Sequence, residues 1–179
     1  MGNPKIYKLS ISKLAMRILF ILMLLFLNLV MIYIAFNALQ GFLNQNNKLG
    51  YIGIVITLLT LYTTYYFGTI LVLFLQFYIN EKGKCITIDS VNNELVIETK
   101  NENIIITEKD LMSIEFNLSN KNSKNLTSEY DFVRLNTISG ENYVITNLIM
   151  RSQEFDQIFI KTKRIIKLNN LNLISKNCS

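Results

Sequence analysis

The stretch ITIDSVNNELVIETKNENIIITEKDLMSIEF, residues 86–116, decides how this chain folds. Apolar and polar residues alternate in short runs, CITIDS (85–90), ELVIETK (94–100) and NIIIT (103–107), with brief polar turns between them. Alternation with a period of two puts one face of each run on a core and the other toward water. Val91-Asn92-Asn93 tolerates the left-handed backbone that a tight hairpin turn requires. In MSIEFNL (112–118), Met112, Ile114, Phe116 and Leu118 fall on one face and Ser113, Glu115 and Asn117 on the other. These spacings predict a half-buried antiparallel sheet.

Downstream, YDFVRLNT (130–137) and NYVITNL (142–148) extend the pattern across the turn Ile138-Ser139-Gly140-Glu141. Between the fourth and fifth runs, NLSNKNSKNLTSE (117–129) has no apolar periodicity and reads as a long loop. Its two Asn-x-Ser/Thr triplets are expected by chance in so Asn-rich a chain. From Ser152 the period changes: Phe155, Ile158, Phe159, Thr162, Ile165 and Ile166 recur at helical spacing. Acids come early in that stretch and bases late, as a helix dipole prefers. The expectation is one C-terminal amphipathic helix, followed by a loose tail over 169–179.

Upstream, the chain has a different character. Thirty residues from Ile18 to Asn47 carry no charge, and neither do the 32 from Leu49 to Asn80. About 20 helical residues cross a bilayer core, so two spans are expected, near 17–38 and 52–79. The second has surplus length, which tilt or projection beyond the hydrocarbon would absorb. A cleavable signal peptide is the competing reading. The first apolar run is too long for one, and no small-residue cleavage site follows Phe36. The opening Met-Gly-Asn-Pro-Lys-Ile also misses the myristoylation pattern.

The formal net charge of +5 maps onto this division. Lys5, Lys8, Lys13, Arg17 and Lys48 make the first 50 residues basic, whereas residues 81–179 carry 13 bases and 13 acids. The domain is therefore neutral, which argues against a nucleic-acid partner. Four bases before the first span and Lys82 and Lys84 after the second place both termini in the cytoplasm by the positive-inside rule. The domains so read are a basic arm (1–16), a transmembrane hairpin (17–80), a cytoplasmic domain (81–168) and the tail.

The layout of membrane α-hairpin followed by a small α+β domain resembles bacterial membrane proteins with two N-terminal transmembrane helices and a PH-like domain. The resemblance rests on residues 86–116 and on NYVITNLIMRSQEFDQIF (142–159). It implies an antiparallel sheet or barrel of six or seven strands capped by the C-terminal helix. It also implies an interaction or scaffold module at the inner membrane. The 26 Ile, 22 Asn and 14 Lys against three Ala suit an AT-rich bacterial genome. Phosphoinositide binding as in eukaryotic PH domains is not expected, because the turn Asp89–Glu94 has two acids and no base.

Chemistry is sparse. The absence of His removes Ser-His-Asp and Cys-His catalysis and His-ligated metals. Cys85 and Cys178 form no metal or redox motif, and no phosphate loop or nucleophile elbow is present. No enzyme activity, cofactor or metal is expected. Two contact sites are. Lys161, Lys163, Arg164 and Lys167 would meet anionic lipid headgroups. Asn28, Thr63 and Thr64 would make polar helix–helix contacts inside the membrane. Expected partners are membrane lipids, an unidentified protein docking on a strand edge or on the 117–129 loop, and a second copy of the chain. The alternative is an immunity or transporter-accessory protein acting through its spans.

Overall fold

The computed structural model describes residues 4–43, 47–89, 91–119 and 129–174. They form two compact units, one of residues 15–72 and one of 1–14 with 73–179. In chain order the elements are β1 (Lys5–Lys8), α1 (Ile11–Leu43), α2 (Asn47–Glu81), β2 (Cys85–Asp89), β3 (Glu94–Glu98), β4 (Asn103–Thr107), β5 (Leu111–Ser119), β6 (Phe132–Thr137), β7 (Asn142–Thr146) and β8 (Arg164–Asn169).

The helical unit is a hairpin of α1 and α2, both long and apolar enough to cross a bilayer. Its two helices touch through small and polar residues. Gly53 lies so close to α1 that a Cβ there would stand 3.0 Å from the Ala38 carbonyl oxygen. Thr60 donates to the Ile56 carbonyl one turn back. Apolar side chains point outward along both helices, Leu19, Phe26, Leu61 and Tyr62 among them.

In the second unit β1-β2-β3-β4 make one antiparallel sheet and β7-β6-β5-β8 the other. The β2–β3 and β3–β4 hairpins sit where the alternation places them, in registers such as Ile88↔Leu95 and Val96↔Ile105. Asn93 takes the left-handed conformation at φ 52°, and the Asp89 carboxylate accepts the Val91 N–H at 2.9 Å. The core lies between the sheets. Ile86, Ile88 and Leu95 pack there against Ile114, Val133 and Leu135.

Several expectations are corrected. Among the described residues there are eight strands in two sheets of four, and these do not close into a barrel. The C-terminal helix is absent: Ser152–Gln157 is a 3-10 turn and Arg164–Asn169 is a strand, parallel to β5. Phe155, Ile158 and Phe159 are buried in the core as the helical pattern implied. But Phe159 sits at φ 52°, a conformation no right-handed helix contains. The chain turns back there, and the β-branched pair Ile165-Ile166 continues as strand. Within the segment expected as a basic arm, Lys5–Lys8 pair with β2, Tyr7 opposite Ile86.

Within the second sheet, β5 itself is not half-buried. Ser113, Glu115, Asn117 and Ser119 on its second face are as inaccessible as Ile114 and Phe116. That face is covered from within its own unit by the end of α2, where Phe77 meets the rings of Tyr130 and Phe132 edge-on. Leu73 and Phe74 are buried with it, so the surplus length of the second apolar run serves as domain core. Met112, placed by alternation on the core face, is exposed because the β5–β6 register shifts between Leu111 and Ser113, a bulge that leaves one residue unpaired. Residues 117–119 of the loop expected over 117–129 belong instead to β5, which runs to Ser119; residues 120–128 lie outside the described residues.

Candidate functional site

A cleft of about 660 Å³ is lined by residues of β4 and β7, with others from the end of α2, β3 and β6. Lys84 and Arg134 line it together with the polar Gln76, Thr99 and Asn142. Ile79, Ile97, Ile104 and Ile174 supply an apolar wall. Among the described residues that line it there is no Asp or Glu.

One side of the cleft is built by the end of α2 against the outer edge of β7. Glu81 is wholly buried and its Oε1 accepts the Thr146 backbone N–H at 2.6 Å. Asn80 Nδ2 and Lys84 Nζ each donate to the Val144 carbonyl at 3.1 Å. Side chains thus satisfy backbone groups that a neighbouring strand would otherwise bond, which closes this stretch of edge. Lys84 Nζ lies 3.8 Å from Glu81 Oε2. Burial pushes the Lys84 ammonium below the ordinary lysine range, and the Glu81 charge only partly resists.

Behind Arg134, its cross-strand neighbour is Glu115. Burial pushes the Glu115 carboxyl up. Hydrogen bonds from Asn117 and Lys167, with the charges of Lys167 and Arg134, outweigh that and hold it below the usual range. The polar network continues outward from Asn117. Asn172 Nδ2 donates to the Asn117 and Tyr130 carbonyls at 3.2 and 2.8 Å and to Ser119 Oγ at 3.0 Å. The tail expected to be loose over 169–179 is therefore fixed as far as Asn172; residues 175–179, with Cys178, lie outside the described residues.

The four bases expected to meet lipid together do not share a helix. Lys161 and Lys163 lie in the turn before β8, where Glu108 accepts the backbone N–H groups of Lys161 and Thr162. Arg164 and Lys167 are three residues apart on a strand and so point to opposite faces. The Lys167 ammonium is 2.9 Å from Glu115. Asn28, Thr63 and Thr64 are brought together inside the helical unit: the Asn28 amide donates to both threonine hydroxyls, and Thr64 Oγ1 donates back to Asn28 Oδ1 at 3.3 Å. Among the described residues no cluster of Cys, Asp and Glu is placed to hold a metal ion.

Sequence reasoning missed Glu81 and Asn80. At the end of an apolar run they look like flanking polar residues, and nothing local announces that a strand 65 positions away meets them.

Compared with known families, residues 6–158 match the family described as PH domain. The match begins inside β1 and ends just beyond the 3-10 turn, so it spans the helical hairpin and stops before β8. No curated protein and no solved structure shows significant similarity to this chain.

Proposed function

The chain belongs to the PH domain family, and from that premise we propose that it is an interaction module anchored in a bacterial inner membrane, with its domain in the cytoplasm and a protein as its partner. The observation that carries this reading is the contrast between its two units. The domain gathers Ile86, Leu95, Ile114 and Leu135 into a buried core, whereas the hairpin turns Leu19, Phe26, Leu61 and Tyr65 outward, the last at 75% exposure. Soluble monomers rarely carry apolar surface of this kind, and hydrocarbon suits it. From Tyr51 to Val72, where the helical unit ends, α2 spans about 33 Å at 1.5 Å per residue, the thickness of a bilayer core. Lys5, Lys8 and Lys13 on one flank and Lys82 on the other support cytoplasmic termini.

The outer edges of β4 and β8 have no strand beside them among the described residues. Ile105 on β4 and Ile166 and Leu168 on β8 are exposed. Edges of this kind pair with extended segments of other proteins. A second reading, an accessory or immunity protein working through its spans, is favoured by Tyr62 and Tyr65, which project from α2.

Photo-crosslinking residues introduced singly at Ile105, Ile166, Leu27 and Tyr62 in the full chain, in cells, separate the two. Adducts from the first pair support docking on the domain. Adducts from the second pair alone would transfer the function to the spans. An adduct of twice the chain's mass identifies a second copy as the partner.

A further inference from the structure

The cleft between β4 and β7 has a chemistry distinct from any strand-edge contact. We infer that it is a binding site for a small anionic amphiphile, a carboxylate or phosphate carried on one apolar chain. Its volume, about 660 Å³, falls in the range of small-molecule sites, which are mostly apolar with a few placed polar groups. The charged lining groups are Lys84 and Arg134, both cations. Their carboxylate neighbours, Glu81 beside Lys84 and Glu115 across the strand from Arg134, are not among the described lining residues. An occupant's anionic end therefore has Lys84 and Arg134 to face, while the nearby Glu141 is taken up by the hydroxyl of the lining Tyr143.

The rest of the lining fits the remainder of such a molecule. The Gln76 and Asn142 amides and the Thr99 hydroxyl can donate to anionic oxygens. Ile79, Ile97, Ile104 and Ile174 offer a chain-length apolar wall. The burial that holds the Lys84 ammonium below its ordinary range makes a nearby anion favourable, because a counter-charge restores the protonated form. The site is remote in kind from the acidic β2–β3 turn, where Asp89 bonds its own backbone.

The test uses the full chain in nanodiscs of zwitterionic lipid with its isoleucine methyl groups labelled for NMR. Decanoate and decyl phosphate are expected to shift the Ile97, Ile104 and Ile174 methyls, with decyltrimethylammonium leaving them unmoved. Asn142→Asp, an exposed position, puts a carboxylate in the lining and should weaken decanoate about tenfold, the usual scale of one charge-assisted contact. Ile104→Trp fills the cleft and should abolish the shifts while the Ile86 and Ile114 methyls report an intact core. Discs containing an anionic phospholipid identify the source. The same shifts without added amphiphile point to a membrane lipid, and shifts only on adding decanoate point to a soluble ligand. Equal response to the cationic and anionic probes, or an Asn142→Asp chain that binds decanoate as tightly as the parent, overturns the inference.

Discussion

The Glu81 carboxylate accepts the backbone N–H of Thr146 at 2.6 Å, which ties the last residue of α2 to the last residue of β7. The bond is buried, and Lys84 is the nearest counter-charge. Glu81→Ala would leave a buried N–H without an acceptor and Lys84 without its partner. The expected loss is about 3 kcal/mol, the scale of breaking one side of a buried pair. Glu81→Gln keeps an acceptor for Thr146 and should lose less. Chemical unfolding of the full chain, followed by methyl NMR of the domain, measures both; equal stability of the Ala variant and the parent would refute the tie.

Lys84 offers a pH test of the same place. Its folded pKa lies below the ordinary 10.5 because burial dominates. Protonated Lys84 therefore costs stability at every pH below the folded value, and this cost fades as pH rises toward 10.5. Removing the resisting charge in Glu81→Gln should move the titration of Lys84 lower still. Acylation of the Lys84 amine as a function of pH reads this directly, and an unchanged or raised midpoint in the variant would contradict the geometry.

Asn172 makes the C-terminal segment part of the fold. Its side chain is 1% exposed and its amide reaches two carbonyls and a hydroxyl. Asn172→Leu leaves those acceptors without a donor and should cost about 2 kcal/mol. Denaturant unfolding checks the value. A loose tail would make the substitution neutral.

Tyr7 does the same for the N-terminal strand. Its hydroxyl donates to Glu154 at 2.9 Å, and burial first, then that bond and the carboxylate's charge, push the phenol up to about 12. The folded value exceeds the unfolded one, so this contribution is present below pH 10 and lost as pH rises through 12. Glu154→Gln should bring Tyr7 down, and carbon NMR of labelled tyrosine follows it. Deleting residues 1–9 should destabilise the domain, since β1 is an outer strand of its first sheet.

What the sequence made legible was what its neighbours in the chain determine. β2, β3 and β4 are joined by short turns, so alternation and turn chemistry fix them nearly residue by residue. β1 was illegible because its partner lies beyond the whole helical hairpin and KIYK has no pattern of its own. β8 was misread because Phe155, Ile158 and Phe159 do occupy one side of the core, at a spacing a helix shares with a 3-10 turn and a left-handed corner. The signal that could have found it was the Ile165-Ile166 pair. For the cleft, Lys84 was visible as a span-flanking charge, but Arg134 and Asn142 belong to strands whose facing side only the tertiary fold settles. The Asn28 contact was the better case: one amide in an apolar run, with two threonines at matching depth, has few places to go.

That contact and Gly53 together set the last expectation. Gly53 lets the helices of the hairpin approach until a Cβ would meet the Ala38 backbone at 3.0 Å, and backbone cannot rotate away as a side chain can. Gly53→Val must therefore separate the helices at that level, stretching the Asn28–Thr64 bonds one end of the hairpin onward. Asn28→Leu removes those bonds but leaves the close approach, and polar contacts between membrane helices contribute only about 0.6–1.7 kcal/mol. Gly53→Val is accordingly expected to weaken the hairpin more than Asn28→Leu, and Gly53→Ala to fall between Gly53→Val and the parent. Detergent-induced unfolding followed by a fluorophore pair, one on each helix, ranks the three. A larger effect from Asn28→Leu would mean that the amide, and not the small-residue contact, holds the two helices together.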